Sequence, residues 1–329
     1  MDSAAAINAA RTHAAFVDAL PVDLIQGTGG DRIAFLHRLL SGNVTGALVG
    51  GGCHTLLLNP KGHIVSDIQL LVGDSFVRMM VPVGLGQSTA DALNRYAIMD
   101  DFAAVPVAGQ RVMGVVGPQA AAVLQRAGLS VPAGLIDGAV WSHHPVAFAD
   151  REGWVARVPQ WGGMGLRVVL PKAAAALLSD ALTKAGAALL DVAAAEALRV
   201  ASGELKFGVE ITPERFPMEL GLDDAIDYAK GCYLGQEPIV RIRDRGHVNW
   251  RVARLRFGLG GPAVVAGNKI ESAVRPAAGH LTSVATLPAV GGEPAVGVAL
   301  GLVHATVPPG PVRLLTDAGV VEAEVLAPH

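Results

Sequence analysis

Between Tyr228 and Arg245 the chain runs Tyr-Ala-Lys-Gly-Cys-Tyr-Leu-Gly-Gln-Glu-Pro-Ile-Val-Arg-Ile-Arg-Asp-Arg. Cys232 is flanked by Gly231 and Gly235, with Lys230 two positions upstream. Glycines let a backbone approach a ligand closely and adopt positive φ. A neighbouring ammonium, or the start of a helix, favours thiolate over thiol. Together these residues make Cys232 a candidate reactive sulfur at neutral pH and Lys230 its activator. The plain alternative is a buried cysteine in a turn, since free cysteines generally pack as small hydrophobes.

Arg241, Arg243, Arg245, Arg251, Arg254 and Arg256 follow within 16 residues, offset only by Asp244. Arginine matches carboxylates and phosphates bidentately. Arg254 and Arg256 alternate with Leu255 and Phe257, the pattern of a solvated strand face, so Arg241, nearest the cysteine, is the one favoured for ligand binding. Trp250 is the only aromatic residue interleaved for base stacking, which leaves direct nucleic-acid binding unsupported. Cys53-His54 and His143-His144 match no recognised metal-ligand spacing, so no metal site is assigned. Gly27-Thr-Gly-Gly30 lacks both the dinucleotide and the P-loop pattern.

The elements that must carry these residues are mixed. A helix is expected over 34–40, with Asp31 as N-cap. Residues 55–58, the turn Asn59-Pro-Lys-Gly62 and residues 63–72 predict strand, turn and strand. A strand over 76–83 and a helix over 88–96 follow. A second block predicts strands at 112–116, 141–148, 154–158 and 166–170, and helices at 119–127, 172–185 and 192–202. Without a regular βαβ rhythm, the fold class is α+β. After residue 250 only short strands separated by Gly and Pro remain, at 254–257, 269–270, 280–284, 296–303 and 312–315, a small barrel or sandwich. The division expected is 1–250, as two α+β lobes that may interleave in sequence, and 251–329.

Lys230-Gly-Cys-Tyr-Leu-Gly-Gln-Glu237 resembles the Lys-Gly-Cys-Tyr-x-Gly-Gln-Glu signature of the YgfZ-type folate-binding proteins, within the superfamily of the glycine-cleavage T-protein, an aminomethyltransferase. Gly29-Gly-Asp31 and the residues after it, Asn59 to Asp67, Val116-Gly-Pro-Gln-Ala120, Glu196 to Gly203, Thr212-Pro-Glu214 and Glu219 to Leu222 are similar to further superfamily segments, spanning roughly 20–257. The resemblance implies a GcvT-like ring of two α+β lobes plus a C-terminal β-barrel, with a central opening that admits tetrahydrofolate or a one-carbon derivative. It implies an accessory role in iron–sulfur cluster assembly or repair, including tRNA-modifying enzymes, through Cys232 with Lys230. The partners are then iron–sulfur client proteins or assembly factors. Asp67, Asn59, Lys61, Tyr233, Gln236, Glu237 and Arg241 become candidate folate-binding residues. The alternative is a folate-dependent aminomethyl- or methyltransferase. Against it, the Asp that follows the strand over 76–83 in the aminomethyltransferases has no counterpart in Pro82-Val-Gly-Leu-Gly-Gln-Ser-Thr89, the superfamily's Arg-x-Glu-x-Gly becomes Arg199-Val-Ala-Ser-Gly203, and its Gly-Tyr-Thr-Gly-Glu turn becomes Pro159-Gln-Trp-Gly-Gly163. Carboxylates are thus missing where a proton would have to be moved.

Composition narrows the partners. The 329 residues include 26 Lys+Arg and 29 Asp+Glu, a net charge of −3, which excludes a strongly basic nucleic-acid binder. Charged residues make up 17% against a usual value near 25%, and Gly and Pro together about 18%, the mark of a turn-rich globular chain. Mean hydropathy is +0.42, yet no window supplies the roughly 20 apolar residues a spanning helix needs. The first 18 residues lack the pattern of a signal peptide. Two cysteines do not form a disulfide framework, so a reducing cytoplasm is expected. On this view Cys53 is an ordinary small residue in a Gly-rich turn.

Overall fold

The computed structural model describes residues 3–290 and 292–327. Two antiparallel-rich sheets face each other, and a closed barrel follows. The first sheet has the order Gly52–Leu58, Ile64–Val72, Phe76–Pro82, Val22–Thr28, Ala103–Val107. Side chains alternate across a strand, and the alternation here separates two surfaces. Leu57, Ile68, Leu70 and Met79 pack under the helices Arg32–Leu39 and Gly86–Tyr96. Leu24, Leu71 and Met80 point the other way, against Val112, Trp154, Ala156 and Val169 of the second sheet.

The second sheet runs Ala188–Leu189, Ala15–Val17, Gln110–Val116, Gly163–Pro171, Arg151–Gln160, His143–Phe148. Its far face, with Phe16, Val115 and Val168, is covered by the helices Ala120–Arg126 and Lys172–Lys184 through Val123, Leu178 and Leu182. The strand Ala15–Val17 precedes every strand of the first sheet yet belongs to the second. The helix Val192–Ser202 is capped by the Asp191 carboxylate, which accepts the Ala194 N–H at 2.7 Å, and is ended by Gly203 at φ 86°.

The barrel order is Trp250–Phe257, Val296–His304, Arg275–Leu287, Lys269–Ser272, Gly310–Thr316, Gly319–Val325, the last pairing with the first. Closure removes the free sheet edges. Gly297 makes it possible locally, because a Cβ there would lie 2.1 Å from the Phe257 ring. Arg199 ties the barrel to the lobes: it donates to Glu196 at 2.8 and 2.9 Å and to Ser283 on the long barrel strand at 2.7 Å.

Several local expectations need correction. Asp31 occupies the N-cap position of Arg32–Leu39 without capping it. Its carboxylate accepts the Asp101 N–H at 2.8 Å instead, so the tertiary contact wins over the local one. Cys53 is a strand residue, not a turn residue, because the strand begins at Gly52. Arg241, Arg243 and Arg245 lie on a helix, Gln236–Arg245, while Arg251, Arg254 and Arg256 lie on the first barrel strand.

Candidate functional site

The signature segment docks onto the first lobe through its own polar groups. Asp227 N–H donates to the Ser41 carbonyl at 2.9 Å, and Ser41 Oγ donates to the Ala225 carbonyl at 2.7 Å. The Asp227 carboxylate then accepts the backbone N–H groups of Ala229 and Lys230, which bends the chain into the signature. Lys230 reaches back. Its Nζ donates to the carbonyls of His37 at 2.5 Å, Leu40 at 2.5 Å and Gly42 at 2.8 Å. These are carbonyls at the end of Arg32–Leu39, where a helix leaves acceptors unsatisfied and its dipole favours a cation.

Lys230 therefore acts as a clamp between signature and helix. Burial pulls its ammonium down to about 8, opposed by Asp227 and Cys53. The thiol that feels Lys230 is that of Cys53, which burial nonetheless pushes up to about 11. Cys232 is exposed. Tyr233 is buried at 7%, its hydroxyl has no hydrogen-bond partner among the described residues, and burial raises it to about 12.

Two motifs far apart in sequence meet here. Asn59 Oδ1 accepts the N–H groups of Lys61 at 2.9 Å and His63 at 3.1 Å, which makes Asn59 the builder of its turn. Gly235, at φ 78°, lies on that turn, and a Cβ on it would stand 2.3 Å from the Asn59 carbonyl. Lys61 is exposed. Gln236 opens the helix Gln236–Arg245 and is half-buried. Glu237 and Arg241 are both exposed and pair with each other at 2.8 Å along that helix. That arrangement is a surface i,i+4 pair rather than part of an enclosed pocket.

Asp67 sits differently. It faces Leu56 across the neighbouring strand, on the surface turned toward the second sheet. His54, on the same surface, lies between two carboxylates: Nε2 is 2.5 Å from Asp67 Oδ1 and Nδ1 is 3.5 Å from Asp224 Oδ2. Burial would neutralise the ring, but Asp67 and Asp224 overcome it and the His54 pKa rises to about 10. Across the interface, Arg167 is 4% exposed, donates to Gln69 and carries an Nε with no partner among the described residues. Gly114 pairs with Arg167, and a Cβ on Gly114 would lie 2.7 Å from the Gln160 carboxamide. That carboxamide is 4% exposed, and neither its nitrogen nor its oxygen has a partner among the described residues.

Sequence reasoning missed His54, Arg167, Asp224 and Gln160. His54 and Asp67 were detectable in principle, because adjacent antiparallel strands with period-2 alternation place both on one face. Arg167 gave no such signal, since its partner Gln69 comes from the other sheet, and Gln160 gave none because its carboxamide has no partner among the described residues.

Two of the departures from the superfamily pattern, those at 159–163 and 199–203, also meet. Gln160, Trp161, Gly162, Gly163, Ala201 and Ser202 line one cavity of about 580 Å³. Glu204, three residues beyond Ala201, accepts the Trp161 N–H at 3.0 Å, so a carboxylate touches this turn from another position. Among the described residues no group of three or more His, Cys, Asp or Glu side chains is arranged to hold a metal ion. No helix among them is long and apolar enough to cross a membrane.

Known proteins agree with this architecture. An aminomethyltransferase of Thermosynechococcus vestitus is 26% identical over 273 residues, covering 82% of this chain and 72% of that protein. One from Francisella tularensis subsp. tularensis is 30% identical over 210 residues, covering 63% of this chain and 57% of its own length. The chain thus spans only part of these curated relatives. The crystal structure of the glycine cleavage system aminomethyltransferase T from Bartonella henselae superposes with a TM-score of 0.85 at 22% identity, over 99% of this chain and 88% of that one, so the fold is shared. The family model described as the GCVT N-terminal domain matches residues 2–230, and the chain belongs to that family.

Proposed function

We propose that this protein binds a reduced folate on the polar surface between its two lobe sheets and serves iron–sulfur proteins, in assembly or repair, through Cys232. The observation that carries the folate reading is the set of buried polar atoms without partners, Arg167 Nε, within electrostatic reach of Asp67, and both ends of the Gln160 carboxamide beside Gly114, the strand partner of Arg167. A buried polar atom left unpaired costs about 1–3 kcal/mol. A pterin, with several donors and acceptors, is the kind of group that removes that cost. Asp67, Arg167 and Gln160 fit such a ligand and are the residues that would hold it; Glu204, on the neighbouring turn, adds a carboxylate. Bound there, a tetrahydrofolate supplies the nitrogen pair that carries one-carbon units.

Cys232 adds what the folate surface lacks, an exposed thiol on a segment anchored by Lys230. The YgfZ-type signature resemblance supports an accessory role at this thiol. So does the absence of carboxylates from Ala201 and the turn 159–163.

Folate-dependent aminomethyl transfer is the second reading, and the names of the curated relatives favour it. Asp67 is the residue available to it for proton transfer, once freed from His54.

Titration with tetrahydrofolate tests the shared core: saturable micromolar binding, weakened at least tenfold by Asp67→Asn, is expected, and absence of binding sinks both readings. Rescue of iron–sulfur enzyme activity in a deletion strain separates them. Cys232→Ser should fold normally, bind folate normally and fail to rescue. Full rescue, together with turnover of an aminomethylated donor, would establish the transferase instead.

A further inference from the structure

We infer that a second ligand site, for a small organic carboxylate, lies between the edges of the two lobe sheets and centres on Arg78. The cleft encloses about 610 Å³ and is lined by Leu24, Gln26, Arg78, Gln110, Glu152 and Trp154, among others. It shares no lining residue with the cavity of Gln160 and Ala201, or with the cleft beside Cys53. None of Asp67, Arg167 and Gln160, the residues assigned to folate, lines it.

Arg78 is the unusual member. It lies on Phe76–Pro82, directly opposite Gln26. Its guanidinium stands 4.3 Å from the centroid of the Phe76 ring and 5.4 Å from that of Trp154, so aromatic faces hold it. Among the described residues it makes no hydrogen bond and no ion pair, and burial lowers its pKa from the ordinary value. Other partly buried arginines here are paired: Arg111 has Asp18 at 2.8 Å, and Arg199 has Glu196 and Glu210. Stacking satisfies the flat face of a guanidinium but leaves its planar fork of N–H donors free, and that fork matches a carboxylate. The side-chain amides of Gln26 and Gln110 line the same cleft and have no side-chain partner among the described residues. They supply donors for a second oxygen.

The other walls narrow the ligand. Leu24 and Trp154 offer apolar surface for a hydrocarbon or ring body. Glu152 places a negative charge on the cleft. It disfavours a phosphate dianion and tolerates a monoanionic carboxylate, since repulsion grows with ligand charge.

Benzoate is the test ligand, with inorganic phosphate as the second arm. Binding to the full chain is followed by tryptophan fluorescence and by saturation-transfer NMR. One-to-one saturable benzoate binding is expected, weakened at least tenfold in Arg78→Met and at least threefold in Arg78→Lys, which keeps the charge and loses the fork. Saturating tetrahydrofolate should leave it in place. The proposal is overturned by absent benzoate binding, by phosphate binding in its stead, or by displacement with tetrahydrofolate, which would merge the two sites. Undiminished affinity in folded Arg78→Met overturns it as well. If Arg78→Met does not fold, unchanged affinity in Arg78→Lys has the same force. Failure of folate binding leaves this outcome untouched, so the two claims fail separately.

Discussion

Replacing His54 by Gln should remove a stabilising charge whose contribution depends on pH in a calculable way. The ring lies between Asp67 at 2.5 Å and Asp224 at 3.5 Å, and its side chain is 13% exposed. The distance from 6.5 in the unfolded chain to about 10 in the folded protein, at about 1.4 kcal/mol per pH unit, sets a ceiling near 5 kcal/mol. Asp224 is 73% exposed, where ion pairs are worth about 0–1 kcal/mol, so about 3 kcal/mol is the working figure. The folded pKa is raised. The stabilisation is therefore complete below pH 6.5 and lost as pH rises through about 10. Urea unfolding of the wild type and His54→Gln at pH 6, 8 and 10 reads this directly. The variant should be weaker by about 3 kcal/mol at pH 6, with the gap closing by pH 10. NMR titration of the His54 ring gives the pKa itself. A midpoint at or below 7, or two stability profiles that run parallel, would refute the charged-histidine argument.

Two other substitutions probe how the signature is held. Lys230→Met deletes three donated bonds from a charged group, each worth about 1.5–3 kcal/mol and not additive. A loss of about 3 kcal/mol in urea unfolding is expected, and a change under 1 kcal/mol would show that the clamp is dispensable. Gly235→Ala combines positive φ with a Cβ 2.3 Å from the Asn59 carbonyl, so a loss of about 2–3 kcal/mol is expected. A melting temperature equal to that of the wild type would contradict the close approach of signature and turn.

The signals that were legible in the sequence were local ones. Alternation and turn chemistry placed the strands around Asn59–Gly62, the helix ending at Gly203 and the all-β character beyond residue 250, because each is set by neighbours within a few positions. The strands Val22–Thr28 and Ala103–Val107 were not apparent. Gly27 within the first is dictated by tertiary packing, a Cβ there meeting Val77 and Phe102 at 2.7 and 2.9 Å. The helix Gln236–Arg245 was hidden for another reason: Pro238 lies at its start and its charged face has a weak apolar period, with Ile239 its one buried residue. The site divided the same way. Asn59, Asp67 and Cys232 stood out by motif, whereas His54 acquires meaning only once strand pairing sets it beside Asp67, and Arg167 only when the two sheets are brought face to face.

That division bears on Lys230 most of all. From sequence, an ammonium two residues from a cysteine suggests thiolate activation. In the fold the same ammonium is occupied by three carbonyls, and the cysteine it influences is Cys53. Spacing along the chain therefore does not give the pairing that the fold makes. Lys230 is a positioning residue. It fixes the base of the segment to the end of a helix, while Cys232 is left exposed beyond it. A thiol exposed in this way suits contact with a second macromolecule better than attack on a small substrate held inside the protein. Exposure of this kind is what the proposed accessory role asks of Cys232, whereas a catalytic role on a small molecule would ask for enclosure.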